Sequence, residues 1–171
     1  MTYRMTLPQI TLETAAPKAK ELLEGAKKQS GMISNMYAAM ANAPEALETY
    51  LHGMERFRKE SGFSPPEQEV VLLTISYENG CDYCMAAHSF IAGNLGKIPA
   101  DEIELNREGR SSDPKRQAAV AFAKALIETR GKVSDAQFAA VRDAGWTDAN
   151  IVELIALTAQ FLLTNFMNNA V

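Results

Sequence analysis

The sequence is poor in the residues from which most site chemistry is built. Its 171 residues include only two cysteines, two histidines and one tryptophan. Runs of lysine and arginine are missing too, and the net charge is -4. A surface built to neutralise phosphates is thereby excluded, and nucleic acid is not an expected partner. No window approaches the roughly 18 uninterrupted apolar residues of a membrane span. The opening MTYRMTLPQITLET lacks the apolar stretch of a signal peptide. The expectation is a cytoplasmic chain with no membrane partner. In that reducing setting a close cysteine pair is more often catalytic or metal-binding than a structural staple.

A hydrophobic content of 47% is enough for one sizeable core. Residues 1–14 hold short β-favouring pieces, Tyr3 to Leu7 and Ile10 to Leu12, with no partner strand later in the chain, so they read as an N-terminal arm. Residues 15–171 read as a single all-α domain. Thr14 with Pro17 opens a helix that ends near Ser30 and Gly31, Ser34 or Asn35 opens a short one, and Pro44 opens the next. In that third helix Leu47, Tyr50, Leu51, Met54 and Phe57 share an apolar face, with His52 off it. Ser64, Pro65 and Glu67 form the best-marked helix start, a capping box with proline at the first position. Asn79-Gly80 closes that helix, and another follows from about Asp82 to Asn94. Further starts fall at Ala100, at Asp113-Pro114, at Ser134 with Gln137 and at Thr147. The last helix carries Glu153 as its one charge over about five turns, which suits a helix central to the core or shared between subunits of a homo-oligomer. A short echo links Gly62-Phe63-Ser64 with Gly145-Trp146-Thr147, and Glu69…Thr74 with Glu153…Thr158; duplication and chance explain it about equally well.

The chemistry concentrates in residues 64–96. Cys81, Cys84 and His88 lie three and four residues apart, on one stripe of a helix. The helix start favours a thiolate at Cys81 and reaches Cys84, while Asp82 opposes it locally. Glu69 would stand about 18 Å from Cys81 along a straight helix. A hairpin folded at Asn79-Gly80 brings it back toward His88. The order of reach is then Glu69, His88, Cys84, Cys81: a carboxylate orienting an imidazole, the imidazole taking a proton from a thiol, and a second thiol at the turn. Other readings of the same residues are a carboxylate paired with an arginine, a zinc-binding structural domain using Cys81, Cys84, His88 and Glu69, and a non-redox oligomeric binding module with vestigial cysteines.

The pattern Glu69, eleven residues, Cys81-Asp82-Tyr83-Cys84, three residues, His88 resembles the signature of the alkylhydroperoxidase D (AhpD-like) family within the carboxymuconolactone decarboxylase superfamily. Asn35-Met36-Tyr37, Ala41-Asn42-Ala43-Pro44 and Thr164-Asn165 are similar to what members carry, so the resemblance spans about residues 25–169. It implies an all-helical fold with a central antiparallel hairpin bearing the CxxC site, trimeric or hexameric assembly, and thiol peroxidase activity without a bound cofactor or metal. It also implies a small hydroperoxide substrate and a dithiol electron donor. Cys84 would be the peroxidatic thiol, Cys81 the resolving thiol, and Glu69 with His88 the proton relay. Where some members have a histidine between the cysteines this chain has Tyr83, a poor base near neutral pH but a secondary site candidate.

Overall fold

The computed structural model describes residues 7–170. Among them are nine α-helices: α1 Pro17–Ser30, α2 Asn35–Met40, α3 Pro44–Glu60, α4 Pro65–Glu78, α5 Asp82–Asn94, α6 Ala100–Asn106, α7 Pro114–Glu128, α8 Asp135–Asp143 and α9 Asp148–Ala170. No described residue lies in a strand.

Most helix starts fall where the local chemistry puts them. The Glu67 carboxylate accepts from the backbone N–H of Ser64 at 2.8 Å and from its hydroxyl at 2.7 Å. Ser134 and Gln137 form the same reciprocal arrangement before α8, and Thr147 with Asn150 does so before α9. The first helix differs from expectation. Thr14 is spent in a turn with Thr11, whose N–H donates to its Oγ1 at 3.0 Å, and Ala16 is the residue before the helix. Pro17 explains this, because its ring keeps the preceding residue extended, at φ -61°, ψ 157°.

The arm does not form a strand over its described part. Ile10 N–H donates to the Ala38 carbonyl at 3.1 Å and Asn42 Nδ2 to the Pro8 carbonyl at 2.8 Å, so the segment lies along α2. The Tyr3 to Leu7 piece lies, apart from Leu7, outside the described residues.

Helix α4 is the hub, packing against α5, α6, α7 and α9. Its residues Gln68 through Ser76 are all buried, as a helix apolar nearly all round requires. Around it Phe57, Leu72, Phe122, Trp146, Leu154 and Phe161 form the main core. A second cluster, with Leu23, Met40, Leu47 and Tyr50, joins α1, α2 and α3. The two echoing corners are packing partners: the Phe63 and Trp146 rings stack at 4.5 Å, and Gly62 N–H donates to the Glu153 carboxylate at 3.0 and 3.1 Å.

Helix α9 has two faces. Ile151, Leu154, Leu157, Phe161 and Asn165 are buried, while Val152, Ile155, Leu163 and Phe166 are exposed. By length and composition it could cross a membrane, but its buried face is part of the main core.

Replacing Ser64 with alanine removes a cap at the start of the hub helix and should cost about 1 kcal/mol. Denaturant unfolding, followed by fluorescence of the single tryptophan, should give a lower midpoint with an unchanged slope.

Candidate active site

The hairpin closes at Gly80, whose φ of 59° is left-handed backbone that glycine adopts without steric cost. Cys81 N–H then donates to the Ser76 carbonyl at 3.0 Å, and α5 begins at once. Cys81 is the N-cap of α5: its Sγ accepts from Cys84 N–H at 3.3 Å. The two cysteines are joined as a disulfide, with Cα atoms 5.3 Å apart. Both are buried, in the same core cluster as Leu72 and Phe161.

The fold brings Glu69 to His88 directly. Glu69 Oε2 lies 2.7 Å from His88 Nδ1, and both side chains are buried. The carboxylate can only accept, so Nδ1 carries the hydrogen. A neutral His88 therefore presents its lone pair at Nε2, the nitrogen free to act as a base. The ring is held edge-on against Phe161, with centroids 4.9 Å apart. Cys84 lies one turn before His88 on α5, where side chains four residues apart are neighbours.

The second Glu69 oxygen, Oε1, is ion-paired with Arg58 of α3. Arg58 in turn donates to Gln68 Oε1 at 3.3 Å, and Gln68 Nε2 donates to the Phe63 carbonyl at 2.9 Å. The arginine-paired carboxylate and the histidine-orienting carboxylate, which the sequence leaves as competing readings, are one and the same residue. Burial is the largest influence on the Glu69 carboxyl and would raise its pKa. The His88 hydrogen bond and charge, followed by Arg58, outweigh it and hold the group below the ordinary carboxylate range.

Of the residues singled out by sequence, Glu69 meets His88 and Cys84 is bonded to Cys81, while His88 and Cys84 share α5 one turn apart. Tyr83 points elsewhere, with 46% of its surface exposed. The zinc reading has no free ligand set, because both Glu69 oxygens are engaged and the thiols are bonded to each other. Among the described residues no group of three or more His, Cys, Asp or Glu is arranged to hold a metal ion. Sequence reasoning missed Arg58, which nothing distinguishes from the basic residues around it on α3. It also missed Asn168, whose Nδ2 lies 3.2 Å from Cys84 Sγ. The available signal was a run of asparagines in an otherwise apolar helix.

A carboxyl held low in the fold stabilises it above the unfolded value of about 4.3, and that contribution disappears as pH falls through the lower folded value. Glu69→Gln should therefore flatten the acid limb of a melting-temperature profile recorded by calorimetry between about pH 3 and pH 7. Glu102, also held low within the Ser111 and Ser112 hydrogen bonds, supplies an independent part of that limb that this variant leaves in place.

Residues 41–125 match the model of the carboxymuconolactone decarboxylase family. No curated protein matches the sequence significantly. Among solved structures, an alkylhydroperoxidase AhpD core protein from Ralstonia eutropha JMP134, an uncharacterised peroxidase-related protein, is similar at 24% identity and a TM-score of 0.84, over 99% of this chain and 90% of that one. A peroxidase-related protein from Silicibacter sp. TM1040 aligns at 23% identity and a TM-score of 0.78, over 97% and 90%. The debrominase Bmp8, in complex with 2,3,4-tribromopyrrole, aligns at 18% identity and a TM-score of 0.78, over 96% and 88%. The chain has the AhpD-like fold, and its residues 41–125 match the carboxymuconolactone decarboxylase family.

Proposed function

We propose that the protein is a thiol peroxidase that reduces alkyl hydroperoxides or hydrogen peroxide through a Cys81/Cys84 dithiol–disulfide cycle. The observation that carries this reading is the buried Glu69–His88 hydrogen bond of 2.7 Å, one helical turn from Cys84 in a disulfide with Cys81. A carboxylate, an imidazole and a thiol in that order activate a nucleophile. The fold alone does not choose the substrate, since a debrominase shares it. The two-thiol site suits a two-electron reduction of an O–O bond.

In the first step His88 Nε2 takes the Cys84 proton, and the thiolate attacks one peroxide oxygen. The O–O bond breaks, Cys84 becomes a sulfenic acid, and the leaving alkoxide takes up the proton and departs as alcohol. In the second step the Cys81 sulfur attacks the Cys84 sulfur, forming the disulfide and releasing water. A dithiol donor then returns two electrons and two protons by thiol–disulfide exchange and leaves as its own disulfide. Glu69 stays ionised throughout, orienting the ring and offsetting the imidazolium charge. A cytoplasmic setting fits a disulfide that must be reduced on every turnover. The exposed apolar stripe of α9, including Ile155 and Phe166, supports homo-oligomeric assembly, trimeric or hexameric by family resemblance.

The pre-reduced protein should consume hydroperoxide with a dithiol reductant. Cys84→Ser should abolish consumption, and Cys81→Ser should limit the protein to one equivalent before a trapped sulfenic acid accumulates. His88→Ala should lower the rate by roughly 10²-fold or more, the usual contribution of a positioned base. If the reduced protein consumed no hydroperoxide with any dithiol, the reading would be wrong.

A further inference from the structure

We propose that Asn168, near the end of α9, is the donor that holds the Cys84 sulfur in its anionic form, and so is a further catalytic residue of the thiol cycle. The inference rests on the reading of Cys84 as the reactive thiol.

Asn168 Nδ2 lies 3.2 Å from Cys84 Sγ and 3.4 Å from Met36 Sδ. An amide nitrogen carries two hydrogens, so both sulfurs can be met, one by each. The thioether of Met36 has no hydrogen to give, which requires the NH₂ end of the amide, and not its oxygen, to face this corner. Met36 therefore sets the orientation that aims the other N–H at Cys84. When the disulfide is reduced, the same N–H meets a sulfur that can carry a full charge. A hydrogen bond to a charged partner is about twice as strong as one to a neutral partner.

The donor is held to the sulfur by the chain on either side of it. Asn79, in the hairpin turn, donates to Asn165 Oδ1 at 3.1 Å, and Asn169 Nδ2 donates to the Asn79 carbonyl at 2.8 Å. The last two turns of α9 are thus tied to the turn that carries the cysteines. Cys84's own N–H serves Cys81, and Tyr83 is 46% exposed, so Asn168 is the side-chain amide that meets this sulfur.

Helix α5 itself supplies Asp82, Tyr83 and His88; His88 meets Glu69 of α4, Glu69 meets Arg58 of α3, and Tyr37 of α2 and Tyr50 of α3 lie near that pair. Helix α6, with its acidic residues, meets α5 at Gly93, about 13 Å further along the helix. Helix α9 brings no charge near the sulfur: Glu153 lies about 22 Å from Asn168 along the helix. The contribution of α9 is therefore a dipole, and it can be removed without deleting a charge.

The test uses the Cys81→Ser chain, in which Cys84 is the sole thiol, and follows the rate of its alkylation by iodoacetamide against pH. Asn168→Ala, which favours the helix and so does not endanger the fold, should raise the midpoint by about one pH unit. Asn168→Asp, the same shape with a carboxylate in place of the donor, should raise it further. A residue that merely packs the helix end would change the melting temperature and leave the Asn168→Ala midpoint at the parent value, and that result would overturn the proposal whatever the Asn168→Asp midpoint does. Because no peroxide enters the assay, a raised midpoint in a protein that consumes no hydroperoxide would sink the peroxidase reading alone.

Discussion

A carboxylate at the centre of an apolar helix is the most expensive feature of this fold, and the surrounding helices are arranged so that it can be tolerated. Glu69 is 1% exposed and ionised. Desolvation on that scale costs several kcal/mol unless opposite charge and hydrogen bonds replace the lost water. One oxygen has the imidazole of α5 and the other the guanidinium of α3. For both to arrive, the hairpin must close at Gly80 and the C-terminal end of α3 must bring Arg58 within reach of Glu69. Removing either partner leaves a charge in the core, so the arrangement works as a unit. The pair that orients His88 is thus also a constraint on how three helices meet.

The other side of the hairpin is closed by α9, which does two jobs with two faces. Its buried face brings Leu157 and Phe161 to the core, and its last turns bring Asn165, Asn168 and Asn169 to the cysteine-bearing turn. The outward face of the same turns exposes Leu163 and Phe166. Polar side chains in an apolar helix have to find partners, and here the partners are the Asn79 amide and carbonyl and the Cys84 sulfur. Hydrophobic burial places the helix, and the asparagines fix how it docks against the hairpin.

Much of this was legible before any coordinates, and the reasons are local. Ser64 with Glu67, Ser134 with Gln137 and the Asn79-Gly80 exit act through backbone groups a few residues away, so their positions show in the sequence. Residues Cys81, Cys84 and His88 share one helix, and their mutual placement follows from its pitch. Glu69 became legible once the turn was recognised, because two antiparallel helices of known length fix which levels meet. Arg58 and Asn168 were not legible. Each reaches the site from a separate helix, and that approach is decided by how α3 packs on α9 and α9 on α4, which local sequence pattern does not set. The misplaced start of α1 has a different cause: Thr14 has the chemistry of a cap, but Pro17 fixes the entry one residue ahead of itself.

Cys81 gives this architecture a further property. Its sulfur both closes the disulfide and accepts the Cys84 amide, one of the orphan N–H groups of the first turn of α5. The second duty makes no use of redox chemistry, and serine performs it at least as well at a helix start. A descendant with serine at this position would keep the cap of α5 while losing the disulfide. Glu69 has no such substitute, because Arg58 and His88 would be left facing each other across a neutral side chain. At this fold's centre, therefore, the disulfide is easier to lose over evolutionary time than the buried ion cluster beside it.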